Sequence, residues 1–221
     1  HEIYQRIYKL QKEMARNNVD GTLIVQKVDL YYLSHTDQDA HLWIPVTGEP
    51  ILMVRKSLER AKSHSPLENI VPLKSLSSLP DYINEVKKMG LELDVITAKM
   101  FLSYRKIFPD VEIIDISPVI RRVRMIKSPF EVDLIKKAAS IADQVYEQIP
   151  SFIKESRTEI ELSAMIEAYY RKRGHPGTTR IRGFNMETVY GHIIAGAPGT
   201  IPGNSPGPTS GTGLGPFHSQ G

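Results

Sequence analysis

Ile3, Ile7, Leu10 and Met14 recur at spacings of four, three and four, the stripe of an amphipathic helix. Asn17, Asn18 and Gly21 end it. Thr22 to Gln26 then reads as a short, mostly apolar strand, followed by Asp29-Leu-Tyr-Tyr-Leu33. Leu42–Val46 and Ile51–Val54 flank Thr47-Gly-Glu-Pro50 and predict a hairpin. Pro45 argues that its strand is an edge, because proline has no N–H to give a ladder. Ser57 to Lys62 reads as helix, Ile70 to Leu73 as strand, and Leu79 to Met89 as a helix closed by Gly90. Leu93–Ile96 and Val111–Ile116 are further predicted strands, with a helix from about Ala98 to Phe108 between them. Such alternation predicts an α/β domain with a mixed sheet over residues 1–120.

The pattern changes after a basic stretch, 121–127, which reads as a solvated linker carrying Arg121, Arg122, Arg124 and Lys127. Ser128-Pro129-Phe130-Glu131 is a helix start: Ser128 caps, Pro129 sits where no N–H is needed, and Glu131 reaches back to the cap. The helix is expected to bury Val132, Ile135, Ala139, Ala142, Val145, Tyr146 and Ile149, and to stop at Pro150. Thr158-Glu-Ile-Glu161 is a second capping box, opening a helix that runs to Gly174. Residues 196–221 hold 8 of the 15 glycines and 5 of the 15 prolines, too many to supply a core, so they predict a long loop or a ragged end.

Composition bounds the chemistry. A hydrophobic share of 41% in 221 residues is enough for one large or two modest cores. The net charge of +3 is too small to argue for nucleic acid as a partner. There is no cysteine, which excludes disulfides, thiolate catalysis and Cys-bound zinc. The first residues, His1-Glu-Ile-Tyr-Gln-Arg, carry charge where a signal peptide needs an apolar core. No apolar run approaches the roughly 20 residues of a membrane span. A cytoplasmic protein that touches no membrane is the expectation.

Candidate chemistry is sparse. His35, Asp37, Asp39 and His41 alternate; on a strand they would share one face and could bind a metal, whereas the simpler reading is a polar loop before the hairpin. The basic linker could bind phosphate or an acidic partner. Arg180 and Arg182 alternate on an expected strand, Thr179–Gly183, and could grip a substrate carboxylate. Gly211-Thr-Gly-Leu-Gly215 has the spacing of neither phosphate-binding loop. No Gly-x-Ser-x-Gly elbow is present.

Three stretches carry a family resemblance. Asp29-Leu-Tyr-Tyr-Leu33 is similar to a run in the N-terminal domain of the creatinase/prolidase/aminopeptidase P family. Arg124-Met-Ile-Lys127-Ser-Pro-Phe-Glu131 resembles the opening of its catalytic domain, and Thr158–Glu161 the start of that domain's second helix. The resemblance implies an N-terminal α/β domain followed, over 128–221, by the first half of an α+β pita-bread domain. It implies a parent that hydrolyses Xaa-Pro bonds in proline-containing peptides, forms a homodimer, and holds two divalent metal ions (Mn, Co or Zn) through two Asp, one His and two Glu. No Asp follows Asp143, so no metal ligand is assigned within these residues and the chain is expected to be inactive alone. Ile193 to Pro202 resembles a family loop that ends in Pro-His, but Gly203 follows Pro202 here. His192, Asn204 and His218 are therefore the candidates for the substrate rim. The alternatives are an inactive binding module on the same fold, as in the large subunit of the FACT histone chaperone, and a metal-free amidinohydrolase like creatinase.

Overall fold

A computed structural model describes residues 1–177, 179–183 and 193–200. They form two units. The first comprises His1–Lys127 and takes in Ile181, Arg182 and Gly183, and the second begins at Ser128.

In the first unit a six-stranded mixed sheet runs in the order β4-β3-β2-β1-β5-β6. Its strands are β1 (Gly21–Ile24), β2 (Ala40–Pro45), β3 (Ile51–Val54), β4 (Ile70–Pro72), β5 (Lys88–Leu91) and β6 (Glu112–Asp115). The hairpin pairs β1, β2 and β3 antiparallel, while β5 lies parallel to β1 and β6 to β5. Side chains alternate between the two faces along each strand. Leu42 and Ile44 join one core with Ile3, Ile7, Leu10 and Met14 of α1 (Glu2–Arg16), while Trp43 joins a second core with Leu79, Met89 and Phe108. Helices α2 (Lys27–Ser34), α3 (Leu58–His64) and α5 (Ser117–Met125) contribute to the first core, and α4 (Ala98–Ile107) to the second.

Gly21 has no alternative at its position. A Cβ there would lie 2.3 Å from Trp43 Cη2, so the indole packs directly on the backbone of β1.

Several expectations need correction. Pro45 is not on an edge strand: β2 is third in the sheet. Pro45 is the last residue of β2, and its carbonyl accepts from Gln11 Nε2 at 2.9 Å, so the missing N–H costs little. Leu79 to Met89 is not a helix. A 3-10 turn covers Leu76–Asp81, Glu85 has φ of 54°, and the chain then extends as β5. Gly90, expected as a helix stop, lies within β5. A left-handed residue cannot continue a right-handed helix. The predicted strand at Leu93–Ile96 is a turn, in which the Val95 and Ile96 amides both donate to the Glu92 carbonyl. The expected linker is mostly helix, since α5 runs to Met125 and buries Val123.

In the second unit α6 (Pro129–Glu155) starts with the predicted capping box: Glu131 N donates to Ser128 Oγ and Ser128 N to Glu131 Oε2. Pro150 does not stop it. Proline removes one ladder bond, to the Tyr146 carbonyl, on a face where Tyr146 is 76% exposed and water can replace it. Of the expected buried face only Val145 is fully covered; Val132, Ile135 and Tyr146 are exposed. The second box, Thr158 with Glu161, opens α7 (Glu159–Lys172). Phe152 meets Tyr169 edge to face at 5.7 Å, and the Arg173 guanidinium stacks over Tyr169.

Candidate functional site: a buried carboxyl cluster

At the carboxyl ends of the parallel strands β1 and β5, three acidic side chains converge. Each is placed by a local rule. Gln26 caps α2 with its side chain, accepting from the Val28 and Asp29 amides at 2.6 and 3.0 Å. That sets Asp29 in the first turn, where the helix dipole favours an anion. Glu92 follows β5 directly, and its Oε2 accepts from the Val25 and Gln26 amides at 2.8 and 3.0 Å. Asp94 sits in the turn after it and receives Arg121 of α5 at 3.1 Å.

Asp29 and Glu92 are both wholly buried. Burial, together with the neighbouring Asp29 carboxyl and its charge, raises the Glu92 carboxyl well above the usual range, against the pull of the Val25 and Gln26 amides. Glu92 Oε1, by contrast, is buried without a hydrogen-bond partner.

Two arginines close the cluster. Arg124 Nη1 donates to Asp29 Oδ1 at 2.5 Å. Arg182 donates through Nε to Asp29 Oδ2, and its two terminal nitrogens grip Asp94 at 2.6 and 2.9 Å. Its side chain is only 8% exposed. Burial works against the ionised form of Asp94, but the bonds from Arg182 and Ser117 and the charges of Arg182 and Arg121 outweigh it and hold the carboxyl low.

The predicted sites fare differently. Thr179 to Gly183 forms no strand. Arg182 does bind carboxylates, but they are the protein's own. The linker arginines likewise turn inward, Arg121 to Asp94, Arg122 to Glu13 and Arg124 to Asp29. His35, Asp37, Asp39 and His41 do not form a metal face. His35 ends α2 in the left-handed region with Nδ1 3.1 Å from the His64 carbonyl. His41 is buried in β2, with Nε2 2.8 Å from the Tyr104 hydroxyl. Among the described residues no three His, Asp or Glu side chains are grouped to hold a metal ion. His192, Asn204 and His218 lie outside the described residues.

Sequence reasoning missed Glu92, Asp94 and the His41–Tyr104 pair. The available signal for Glu92 was its place at the end of Met89-Gly-Leu91, had that run been read as a strand.

Comparison with known proteins decides the wider frame. Residues 6–126 match the Creatinase/Prolidase N-terminal domain. The chain belongs to the creatinase/prolidase family. Residues 133–214 match Metallopeptidase family M24, so both of the family's parts follow in order. The Xaa-Pro dipeptidase of Pyrococcus furiosus is 28% identical over 172 residues, 77% of this chain and 49% of that protein. An uncharacterized peptidase of Staphylococcus epidermidis is 28% identical over 202 residues, 88% of this chain and 56% of the relative. Among solved structures, an Xaa-Pro dipeptidase from Bacillus anthracis superposes with a TM-score of 0.71 at 26% identity, covering 79% of this chain and 50% of that one. The chain spans about half the length of the curated relatives it matches. The fold is accordingly the family's N-terminal α/β domain with the first part of a pita-bread domain. No described helix is long and apolar enough to cross a membrane.

Proposed function

We propose that these residues are the N-terminal portion of a metal-dependent peptidase that hydrolyses Xaa-Pro bonds in proline-containing peptides, in the cytoplasm and as a homodimer. The observation that carries this reading is the pair of consecutive matches, 6–126 to the N-terminal domain and 133–214 to the metallopeptidase family. The exposed apolar residues Val132, Leu134, Ile135 and Ile153 on α6 support it. Val132 and Ile135 lie one turn apart on one side of α6, where further residues of the same protein or self-association would cover them. The rim residues His192, Asn204 and His218 remain the proposed substrate contacts.

Two divalent ions (Mn, Co or Zn) would polarise the scissile carbonyl and activate water when bound. The described residues do not fit them, because no suitable ligand group is present and no Asp follows Asp143. No catalytic step is assigned to this chain. Its part is to fold a stable N-terminal unit and to present the first helices of the catalytic domain.

The test is to read the coding sequence beyond residue 221 and assay its full product on an Xaa-Pro dipeptide with added Mn. Hydrolysis is expected from the full product and none from residues 1–221 alone. A full product that binds metal and stays silent would overturn the reading.

A further inference from the structure

In open α/β sheets the crevice at the carboxyl ends of the strands is where ligands bind. Here that crevice, beyond β1 and β5, is filled by an arginine from elsewhere in the chain. Arg182 lies 153 residues from Asp29 and 88 from Asp94, yet all three of its donor nitrogens are used on these two carboxylates. The receiving groups are held independently of it. Asp29 is fixed by α2 and by Arg124, Glu92 by two backbone amides, and Asp94 by Arg121 and by its N–H bond to Ser117 Oγ.

We propose that Asp29 and Asp94 form a built receptor for a guanidinium group, occupied in cis by Arg182, and that this side chain straps residues 181–183 to the first unit. The planar fork serves both carboxylates at once, Nε on Asp29 and the two terminal nitrogens on Asp94, which a lysine cannot match. Burial raises the carboxyl of neighbouring Glu92, which limits the negative charge that has to be balanced.

The receptor and the strap are separable by experiment. In Arg182→Ala, the 221-residue chain should lose roughly 6–12 °C in Tm, the cost of leaving Asp29 short of a partner. Hydrogen exchange in 179–183 should rise at least about tenfold, while β1 and β5 stay protected. Millimolar methylguanidinium should then recover at least half of the lost Tm, because it refills the receptor. It should not slow exchange in 179–183, because it carries no chain. Methylammonium should do neither, and Asp94→Asn combined with Arg182→Ala should abolish the recovery.

If Arg182→Ala does not fold, Arg182→Lys gives the same reading: a cation remains, the fork is lost, and exchange in 179–183 rises. Unchanged exchange in both variants overturns the strap. A Tm that methylguanidinium leaves unmoved, or moves equally with and without Asp94, overturns the receptor.

Discussion

Asp29 and Arg124 lie 95 residues apart in the chain and meet at 2.5 Å. Each belongs to a different stretch of the family resemblance, Asp29-Leu-Tyr-Tyr-Leu33 and Arg124-Met-Ile-Lys127. The two sequence signatures are therefore the two halves of one ion pair. It joins the start of α2 to the end of α5, and Arg124 also lies 5.4 Å over the Tyr32 ring. Asp29→Asn should destabilise the first unit by about 3 kcal/mol, since it strands two cations that faced a buried anion. A double-mutant cycle with Arg124→Met, followed by chemical denaturation, should return a coupling of at least about 1 kcal/mol. Additive single effects would show that the pair contributes nothing beyond its separate parts.

Glu92→Gln should stabilise the protein in alkali. The folded value of Glu92 is raised, so its contribution is full below the ordinary carboxylate range and is lost as pH rises through the folded value. Glutamine keeps an oxygen for the Val25 and Gln26 amides, without a proton to lose. Between pH 6 and pH 9 the variant's Tm should fall less steeply than that of wild type. Parallel curves would mean that Glu92 does not titrate against Asp29.

His41 sets a limit on the acid side. Burial pulls its imidazole down to about 4, with the charges of Arg55 and Lys27 acting in the same direction and Asp39 opposing them. A depressed folded value means that stability is present above pH 6.5 and drains away as pH falls towards 4, by up to about 3 kcal/mol. His41→Gln, which retains a polar partner for Tyr104, should flatten that slope. Urea midpoints at pH 7, 5.5 and 4.5 would measure it.

Gly21→Ala should cost about 1–3 kcal/mol, the ordinary penalty for overpacking, because the new methyl would meet the Trp43 ring at 2.3 Å. Tryptophan fluorescence should shift with it, as Trp43 is the only tryptophan. Gly48→Ala provides a contrast. It has φ of 103°, but the nearest atom to its Cβ is 3.8 Å away, so its penalty is backbone strain and Trp43 should report nothing.

The pattern of apolar residues was a good guide where an element buries one side and is capped by its own neighbours. The Ile3–Met14 stripe, the hairpin and both capping boxes could be read directly, because each signal is local. It failed between Leu79 and Ile96. There the spacing of Leu79 and Ile83 suits a helix, but the positive φ of Glu85 and parallel pairing to β1 and β6 decide otherwise. That error also hid the cluster, since Glu92 and Asp94 acquire meaning only once Leu91 is known to end a strand. The inward turn of the arginines was illegible for a related reason. Spacing shows that a side chain is basic, but not that an acidic partner lies 88 or 153 residues earlier.

Arg182 is made late. At translation speeds of roughly 5–20 residues per second, it follows Lys127 by about 3–11 s. Until then the carboxylates it will bind, Asp29 and Asp94, can draw only on Arg124 and Arg121 among their cationic partners. The newborn polypeptide thus passes through a stage in which that place is open to another cation, before the finished molecule reserves it for itself.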